Sequence, residues 1–150
     1  MLDKGLSLEQ ARQFLDVSSQ YVDIVKLGWG PAVVTPNVKE KIALYQSYDI
    51  PVSFGGTFFE VCWRQGKYDE FLALVDDCGM TCVEISDGTI DMDEDDKLGI
   101  IRDLSQRYKV LSEVGSKDDA VVITPSKWVE LIGRELEAER LERMLVGQHQ

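Results

Sequence analysis

The chain has 150 residues and a mass of 16.9 kDa, which suits one domain with a buried core and excludes a large multidomain protein. Apolar residues make up 44% and charged residues 29%, so we expect a folded globular chain rather than a disordered or fibrous one. The net charge of −11 and the lack of any basic cluster argue against nucleic acid and anionic membranes as partners.

The start of the chain and its cysteines give no sign of export or of a metal framework. No basic region followed by an apolar stretch begins the sequence, and no window approaches the roughly eighteen apolar residues of a membrane span, so we expect a cytoplasmic protein. Cys62, Cys78 and Cys82 lack repeated Cys-x-x-Cys spacing, which indicates neither disulfides nor zinc. The one histidine, His149, lies beside the terminus, which argues against Ser-His-Asp catalysis.

Short β-branched runs alternate with longer segments of helical period along the whole chain. Gly66 interrupts one of the helical segments and divides it in two. Ser126 follows a proline and is predicted to cap the last helix. In chain order we predict strand 1–3, helix 8–14, strand 22–27, helix 36–48, strand 52–54, helices 58–63 and 68–75, strand 82–86, helix 93–107, strand 108–113 and a helix from about residue 126.

This alternation predicts the fold class. Strands that alternate with helices imply parallel pairing and right-handed crossovers, and hence an α/β sheet or a (β/α) barrel. A complete eight-unit barrel needs about 250 residues, whereas this chain supplies about five strands. We therefore predict an α/β fold of the parallel (β/α) TIM-barrel type, incomplete, with about five of eight units.

Polar side chains lie at or just after the ends of the predicted strands, where α/β proteins bind their ligands. Glu84 lies inside an apolar strand and Glu113 ends the next one, so each needs a partner if it is buried. Together with Lys26, two such carboxylates would hold a hard divalent cation, most economically magnesium, with substrate oxygens completing its shell. Each residue alone is better explained as an ion pair or a solvated strand end. Their recurrence at successive strand ends is what favours a site.

Four segments of the chain resemble the successive motifs of the phosphosulfolactate synthase family, in order and in spacing. They are residues 21–30 (YVDIVKLGWG), 54–60 (FGGTFFE), 83–89 (VEISDGT) and 111–117 (LSEVGSK). The opening residues 2–5 (LDKG) are similar to the end of that family's first strand. The resemblance covers roughly residues 1–137 and is much more specific than any single glycine pattern.

The resemblance implies a (β/α) barrel that adds sulfite to phosphoenolpyruvate with magnesium, giving (2R)-phospho-3-sulfolactate on routes to coenzyme M or sulfolactate. In such a reaction sulfite attacks the methylene carbon and negative charge develops on the carboxylate as an aci-acid. A bound cation stabilises that charge in the transition state, and an acid then protonates the second carbon.

We assign roles to this chain's residues from their type and position. Lys26 is predicted to lie nearest the substrate carboxylate or phosphate, and Lys117 or Lys4 is predicted to donate the proton. The predicted magnesium ligands are Glu84, Glu113 and Asp87. The predicted substrate-binding residues are Gly55, Gly56, Thr57, Ser86 and Gly115.

The chain departs from the family pattern after Glu137, where the family continues with a Gly-Ala turn and a sixth strand. Here the sequence continues in helical style, so we predict a partial barrel domain at 1–137 and a divergent helical tail at 138–150. Two apolar stripes of this last helix point in nearly opposite directions at about 100° per residue, so we expect the first to face the sheet and the second another chain or no partner at all. The first stripe is Trp128, Val129, Leu131, Ile132 and Leu136, and the second is Ala138, Leu141, Met144 and Leu145.

An open parallel sheet leaves edge strands and one face uncovered, so we expect a homo-oligomer. Complete barrels often hold substrate phosphate with the loops after strands seven and eight, so catalysis by this chain would need a partner subunit to supply them. The leading hypothesis is a phosphosulfolactate synthase homologue. The alternatives are a non-catalytic half-barrel that acts through oligomerisation or partner binding, and another α/β domain that binds a phosphorylated metabolite.

Overall fold

A computed structural model of the chain describes residues 1–118 and 120–147, with side chains described through residue 139. Its elements are β1 (Leu2–Asp3), α1 (Leu8–Ser18), a 3₁₀ turn (Ser19–Tyr21), β2 (Val25–Leu27), α2 (Trp29–Val34), α3 (Val38–Gln46), β3 (Val52–Phe54), α4 (Gly56–Arg64), α5 (Tyr68–Asp77), β4 (Cys82–Ser86), α6 (Glu94–Leu104), β5 (Lys109–Glu113) and α7 (Pro125–Gly147).

Among the described residues, the strands that hydrogen-bond to each other pair in parallel, and neighbouring strands are consecutive in the chain. β1, β2 and β3 form one hydrogen-bonded sheet, β4 and β5 form a second, and β3 lies against β4. The predicted α/β class with parallel strands is confirmed, and the order of the strands is consistent with a partial (β/α) barrel. In the described part of the chain, no helix is both long and apolar enough to cross a membrane.

The apolar core lies between the strands and the helices that cover one of their faces. In β2, Val25 and Leu27 are buried in this core while Lys26 between them is half-buried, because alternate strand residues point to opposite faces. Tyr45 from α3 and Phe59 from α4 are fully buried in the same core. The face of the sheet away from the core is therefore the one that carries polar side chains.

Two predicted boundaries shift for local reasons. The strand predicted at 22–27 begins only at Val25, because the amide of Val22 donates to the Ser19 carbonyl and closes the 3₁₀ turn. The helix predicted at 36–48 is preceded by the unpredicted helix α2, which begins directly after β2. The predicted interruption at Gly66 is confirmed, since its φ of +68° places it in the left-handed region between α4 and α5.

The predicted cap of the last helix is wrong by two residues. Helix α7 begins at Pro125, and the hydroxyl of Thr124, not that of Ser126, accepts a hydrogen bond from the Lys127 amide at 3.3 Å. Proline suits the first turn of a helix because an N–H at that position would have no partner within the helix, so its absence costs no hydrogen bond. Thr124 therefore takes the capping role.

The phase of α7 also differs from the prediction. We expected its first apolar stripe to face the sheet, but Val129 is 73% exposed and Leu136 is 54% exposed, whereas Glu135 and Ala138 are buried. The physical reason is electrostatic: Glu135 forms an ion pair with the buried ammonium of Lys97 at 2.8 Å, and this pair turns the apolar stripe outward.

The boundary predicted at residue 137 falls within the continuous backbone of α7. Ala138 is the one residue of the second stripe whose side chain is described. The side chains of Leu141, Met144 and Leu145, and all of His149, lie outside the described residues.

Candidate active site

Polar residues gather on the face of the sheet away from the core. The strand register pairs Lys26 with Ser53 and Ser86 with Glu113, and Glu84 lies two residues before Ser86 on the same face. Because the strands are parallel, their carboxyl ends reach one edge of the sheet. The residues predicted at successive strand ends are thereby brought to one place, which we call the strand-end site.

Lys26 and Glu84 form the first pair in this site. The Lys26 ammonium lies 3.0 Å from Oε1 of Glu84, whose side chain is 5% exposed. Burial raises the pKa of the Glu84 carboxyl; the Gly56 amide and the Lys26 ammonium act in the opposite sense, and the charge of Glu113 adds to the rise. The sequence predicted that this carboxylate needs a partner if it is buried, and the structure shows that Lys26 is that partner.

Gly56 joins helix α4 to the same carboxylate. Its amide donates a hydrogen bond to Glu84 Oε1 at 3.0 Å, at the N-terminus of the helix, where the dipole favours a negative charge. A β-carbon at Gly56 would lie 2.5 Å from Cβ of Ser86 and 2.9 Å from Glu84 Oε1. The second glycine of the GG pair is thus required by close packing. Gly55, just before it, is the N-cap of α4 and donates its amide to the Leu27 carbonyl at 2.8 Å.

Glu60 is a second buried carboxylate of the site, and sequence reasoning missed it. It lies on α4, is 0% exposed, and accepts hydrogen bonds from the Ser86 hydroxyl, from the Thr89 hydroxyl and, at 3.2 Å, from the Thr89 amide. A usable signal was present, because Glu60 follows Gly56 by four residues and so shares its side of the helix.

Lys117 approaches this group from the loop after β5. Its ammonium donates to the Thr57 hydroxyl at 3.1 Å and lies 3.6 Å from Oε2 of Glu113 and 3.9 Å from Oε1 of Glu60. Its backbone amide donates to the Gly88 carbonyl at 2.8 Å, which ties the loop after β5 to the loop after β4. Two lysines predicted from separate strand ends therefore both reach the strand-end site.

Asp87 is placed differently from the other two predicted magnesium ligands. Its Oδ1 lies 2.8 Å from the ammonium of Lys97, a lysine of α6 that is 3% exposed. The same ammonium donates to the backbone carbonyl of Glu113 at 2.9 Å and pairs with Glu135. Lys97 was not predicted; it links the ends of β4 and β5 to α7.

Lys4, the alternative proton donor, is exposed after the end of β1. Its neighbour Asp3 is buried, and Oδ2 of Asp3 lies 2.9 Å from the Lys41 ammonium. The other carboxylate oxygen, Oδ1, accepts hydrogen bonds from the amides of Gly5 and Leu6, each at 2.8 Å. The end of β1 is therefore organised around Asp3, and the structure shows no contact between Lys4 and the strand-end site.

A cavity of about 590 Å³ lies between the loops after β4 and β5 and includes Lys117 in its wall. Gly88, Thr89, Gly115 and Ser116 line it from the two loops. Gly115 has φ +118°, and a β-carbon there would lie 2.8 Å from the Trp128 ring, so glycine is needed on both counts. The cavity has the volume for a small substrate beside Lys117, and Asp87, Asp91 and Asp118 also line it.

The chemistry of the donor set decides how magnesium would fit. Within residues 1–118 and 120–139, no group of three or more His, Cys, Asp or Glu side chains is arranged to hold a metal ion. Glu84 and Glu113 remain, and one or two carboxylates completed by water and substrate oxygens is the usual way in which proteins bind magnesium. All three predicted ligands face a lysine: Glu84 Oε1 lies 3.0 Å from Lys26, Glu113 Oε2 lies 3.6 Å from Lys117, and Asp87 Oδ1 lies 2.8 Å from Lys97. Of these lysines, Lys97 is the buried one, so Asp87 belongs to a structural ion pair, and the two glutamates are the carboxylates that would hold magnesium in this mode.

The fold and the site together define a class, that of parallel α/β proteins with an ionic site at the carboxyl ends of their strands. Within that class, residues 1–142 match the sequence model of (2R)-phospho-3-sulfolactate synthase (ComA). The chain belongs to this family, and the resemblance of the four motifs is confirmed.

Three curated relatives support the same assignment, and each is named phosphosulfolactate synthase. The proteins of Bacillus subtilis and Methanothermobacter thermautotrophicus are 38% and 36% identical to this chain over 140 and 143 residues. The protein of Methanocaldococcus jannaschii is 41% identical over 143 residues. Each match covers 92% of this chain but only 55 to 57% of the relative, so the chain spans little more than half the length of these relatives.

Proposed function

We propose that this chain is the core of a magnesium-dependent enzyme that adds sulfite to phosphoenolpyruvate and forms (2R)-phospho-3-sulfolactate. The observation that supports it is the convergence of Lys26, Lys117, Glu84 and Glu113 from separate strand ends on one site, in a chain that belongs to the synthase family. Both substrates are small soluble anions, in keeping with the predicted cytoplasmic location.

Charge in the strand-end site favours a cation. The site holds two ammonium groups, Lys26 and Lys117, and three carboxylates, Glu60, Glu84 and Glu113. Phosphoenolpyruvate and sulfite bring further negative charge, so the residues of this chain alone cannot neutralise both substrates. Magnesium held by Glu84 and Glu113 would stabilise the negative charge that develops on the substrate carboxylate during addition.

The lysines divide the remaining work. In the proposed reaction the sulfur lone pair of sulfite forms a bond to the methylene carbon, and the electrons of the double bond move onto the second carbon and its carboxylate. Lys26, fixed by Glu84 at 3.0 Å, faces the substrate carboxylate or phosphate. The Lys117 ammonium then gives one proton to the second carbon, which sets its configuration. Lys117 is favoured over Lys4 because it lies in the cavity wall beside the carboxylates.

The same geometry gives the small residues their roles. Gly56 and Ser86 are packed against each other behind the Glu84 carboxylate, and Thr57 holds the Lys117 ammonium through its hydroxyl. Gly115 leaves the loop after β5 close to the Trp128 ring and so opens the cavity on the other side of Lys117. We therefore place the substrate beside Lys117, in the cavity between residues 87–92 and the Gly115 loop, with Gly55 and Gly56 outside its wall.

The direct test is to incubate the purified chain with phosphoenolpyruvate, sulfite and magnesium and to follow the phosphorus NMR signal of the product. We expect a new phosphate ester that requires all three components and disappears when Glu84→Gln replaces the wild type. Absence of product at saturating magnesium would exclude catalysis by this chain alone.

A second candidate function rests on the outward face of α7. Val129, Ile132 and Leu136 form an exposed apolar stripe at helical spacing, next to the edge of β5 that has no strand partner among the described residues. We propose a non-catalytic half-barrel that acts by self-association through this stripe. Sedimentation velocity of the wild type and of Ile132→Lys tests it: an oligomer dissociated by the substitution supports the proposal, and identical masses contradict it.

A further inference from the structure

Among the residues that the structure describes, Glu60 differs from the other buried carboxylates in how its charge is compensated. Asp3, Glu84 and Glu135 each have a lysine ammonium at 3.0 Å or less. Glu60 is fully buried, yet the donors within hydrogen-bond distance are neutral hydroxyl and amide groups of Ser86 and Thr89. Its cation, Lys117, lies 3.9 Å away and is 39% exposed at the rim of the cavity.

Burial of a carboxylate without a bonded cation is costly, and the fold offsets this cost only by directing three donors at it. Packing alone does not demand such an arrangement, since a hydrophobic or amide side chain fills a helix position of this size without a charge. The negative charge itself therefore needs an explanation, and Lys117 is the charged group that it faces.

Glu60 acts on Lys117 at two points. Through Thr89 and Ser86 it holds the turn after β4, and the Gly88 carbonyl in that turn accepts the Lys117 backbone amide at 2.8 Å. At the tip of the Lys117 side chain, the Glu60 carboxylate and the Thr57 hydroxyl lie beside the Lys117 ammonium. Thr57 and Glu60 are three residues apart on α4, so a single helix face holds the lysine tip.

We propose that Glu60 is the positioning residue that fixes the Lys117 ammonium for proton transfer in the reaction proposed above. This inference rests on that proposed function for its catalytic meaning. Glu60 does not touch the substrate, since its oxygens are covered by Ser86 and Thr89. Its fixed charge and the turn that it anchors hold Lys117 against the cavity, so that the proton is delivered to one face of the second carbon.

The kinetic test compares Glu60→Gln with two variants. Glu60→Gln keeps the size of the side chain and removes its charge, and we expect kcat to fall by about 100-fold with little change in the KM for phosphoenolpyruvate, because only the orientation of the donor is lost. Thr89→Val loosens the turn but keeps the charge, and its kcat should fall much less. Glu70→Gln makes the same charge change at an exposed position of α5 and should leave kcat unchanged. Equal losses in Glu60→Gln and Thr89→Val would overturn the assignment, because the turn alone would then place Lys117.

A second measurement does not depend on activity. Acetic anhydride labelling followed by mass spectrometry gives the relative reactivity of each lysine, with exposed Lys39 as the internal reference. We expect Lys117 to react several-fold faster in folded Glu60→Gln than in the wild type, because its ammonium is released from the cluster. If Glu60→Gln does not fold, Glu60→Asp keeps the charge but retracts it, and should show the same increase to a smaller degree.

The activity assay and the lysine labelling together distinguish a failure of the proposed reaction from a failure of the proposed role of Glu60. A wild type without sulfite addition contradicts the proposed reaction, while faster labelling of Lys117 in the variant still supports the contact with Glu60. Unchanged labelling in a folded variant overturns the positioning role, whatever the activity.

Discussion

Gly56 lies so close to Ser86 that no side chain fits between them: a β-carbon at Gly56 would be 2.5 Å from Cβ of Ser86. This contact brings the first amide of α4 onto the carboxylate of Glu84 at 3.0 Å. Because residue 56 has no side chain, the turn after β3 packs directly against the end of β4. The Gly56 amide then holds the Glu84 carboxylate in place.

Replacing Gly56 by alanine should displace α4 from β4. The added methyl group would overlap Cβ of Ser86 and the carboxylate of Glu84. We therefore expect the free energy of unfolding to fall by about 1–3 kcal/mol and sulfite addition to be lost. Urea denaturation and the product assay measure the two effects.

Gly99→Ala is the matched control, because a β-carbon at Gly99 in α6 meets no atom within 4 Å. Alanine in a helix interior should instead stabilise the protein by up to about 1 kcal/mol. A stable, active Gly56→Ala protein would show that the contact does not hold the site together.

Lys97→Met should be strongly destabilising. The Lys97 ammonium is buried among Asp87, Glu135 and the Glu113 carbonyl, and its removal leaves two carboxylates without their cation. Loss of one member of a buried ion pair costs about 3–5 kcal/mol, which urea denaturation would detect as a lower midpoint. Lys127→Met removes an exposed ion pair with Glu130 on α7 and should change the midpoint little. Equal midpoints for the two variants would contradict a structural role for Lys97.

The strand-end site was largely predictable because its residues obey a local rule. Lys26, Glu84 and Glu113 interrupt or end apolar strand patterns, and parallel strands bring such positions to one edge. The parallel α/β class followed from the alternation of short apolar runs with helical segments. The glycines of the 54–60 segment were identified from their motif, and their close packing then explained them.

What sequence reasoning missed depends on contacts between distant segments. Glu60 and Lys97 lie within helices. The packing of α4 against β4, and of α6 against β5 and α7, buries each of them in a polar network. The predicted orientation of α7 was wrong for the same reason. Hydrophobic periodicity takes no account of ion pairs such as the one between Lys97 and Glu135. The boundary predicted at residue 137 marks a departure from the family pattern, and the backbone of α7 continues through it as a helix.

Glu84 should make the stability of the protein depend on pH. Burial raises the pKa of its carboxyl above the ordinary value of 4.5, so the folded chain binds this proton more tightly than the unfolded chain. Between 4.5 and the raised folded value the folded state holds more protons, and the free energy of unfolding falls as pH rises through that window.

Glu84→Gln removes this titration. Urea denaturation of both proteins at a series of pH values should show the wild type losing stability relative to the variant as pH rises from 4.5. A difference that is flat, or that grows in favour of the wild type, would contradict the direction of the shift at Glu84.

Asp3 should have the opposite dependence on pH. Burial by itself would raise the pKa of this carboxyl, but hydrogen bonds from Lys41 and from the amides of Gly5 and Leu6, with the charge of Lys41, hold it below the ordinary value of 3.8. A lowered folded pKa contributes stability that is present above pH 3.8 and is lost as pH falls through the folded value.

Asp3→Asn leaves the buried Lys41 ammonium without its carboxylate, so at neutral pH we expect the free energy of unfolding to fall by about 3–5 kcal/mol. The gap between wild type and variant should narrow on acidification below 3.8, while Asp16→Asn, an exposed partner of Tyr48, should differ little from the wild type at neutral pH. A gap that stays constant into acid would mean that the Asp3 charge does not stabilise the end of β1.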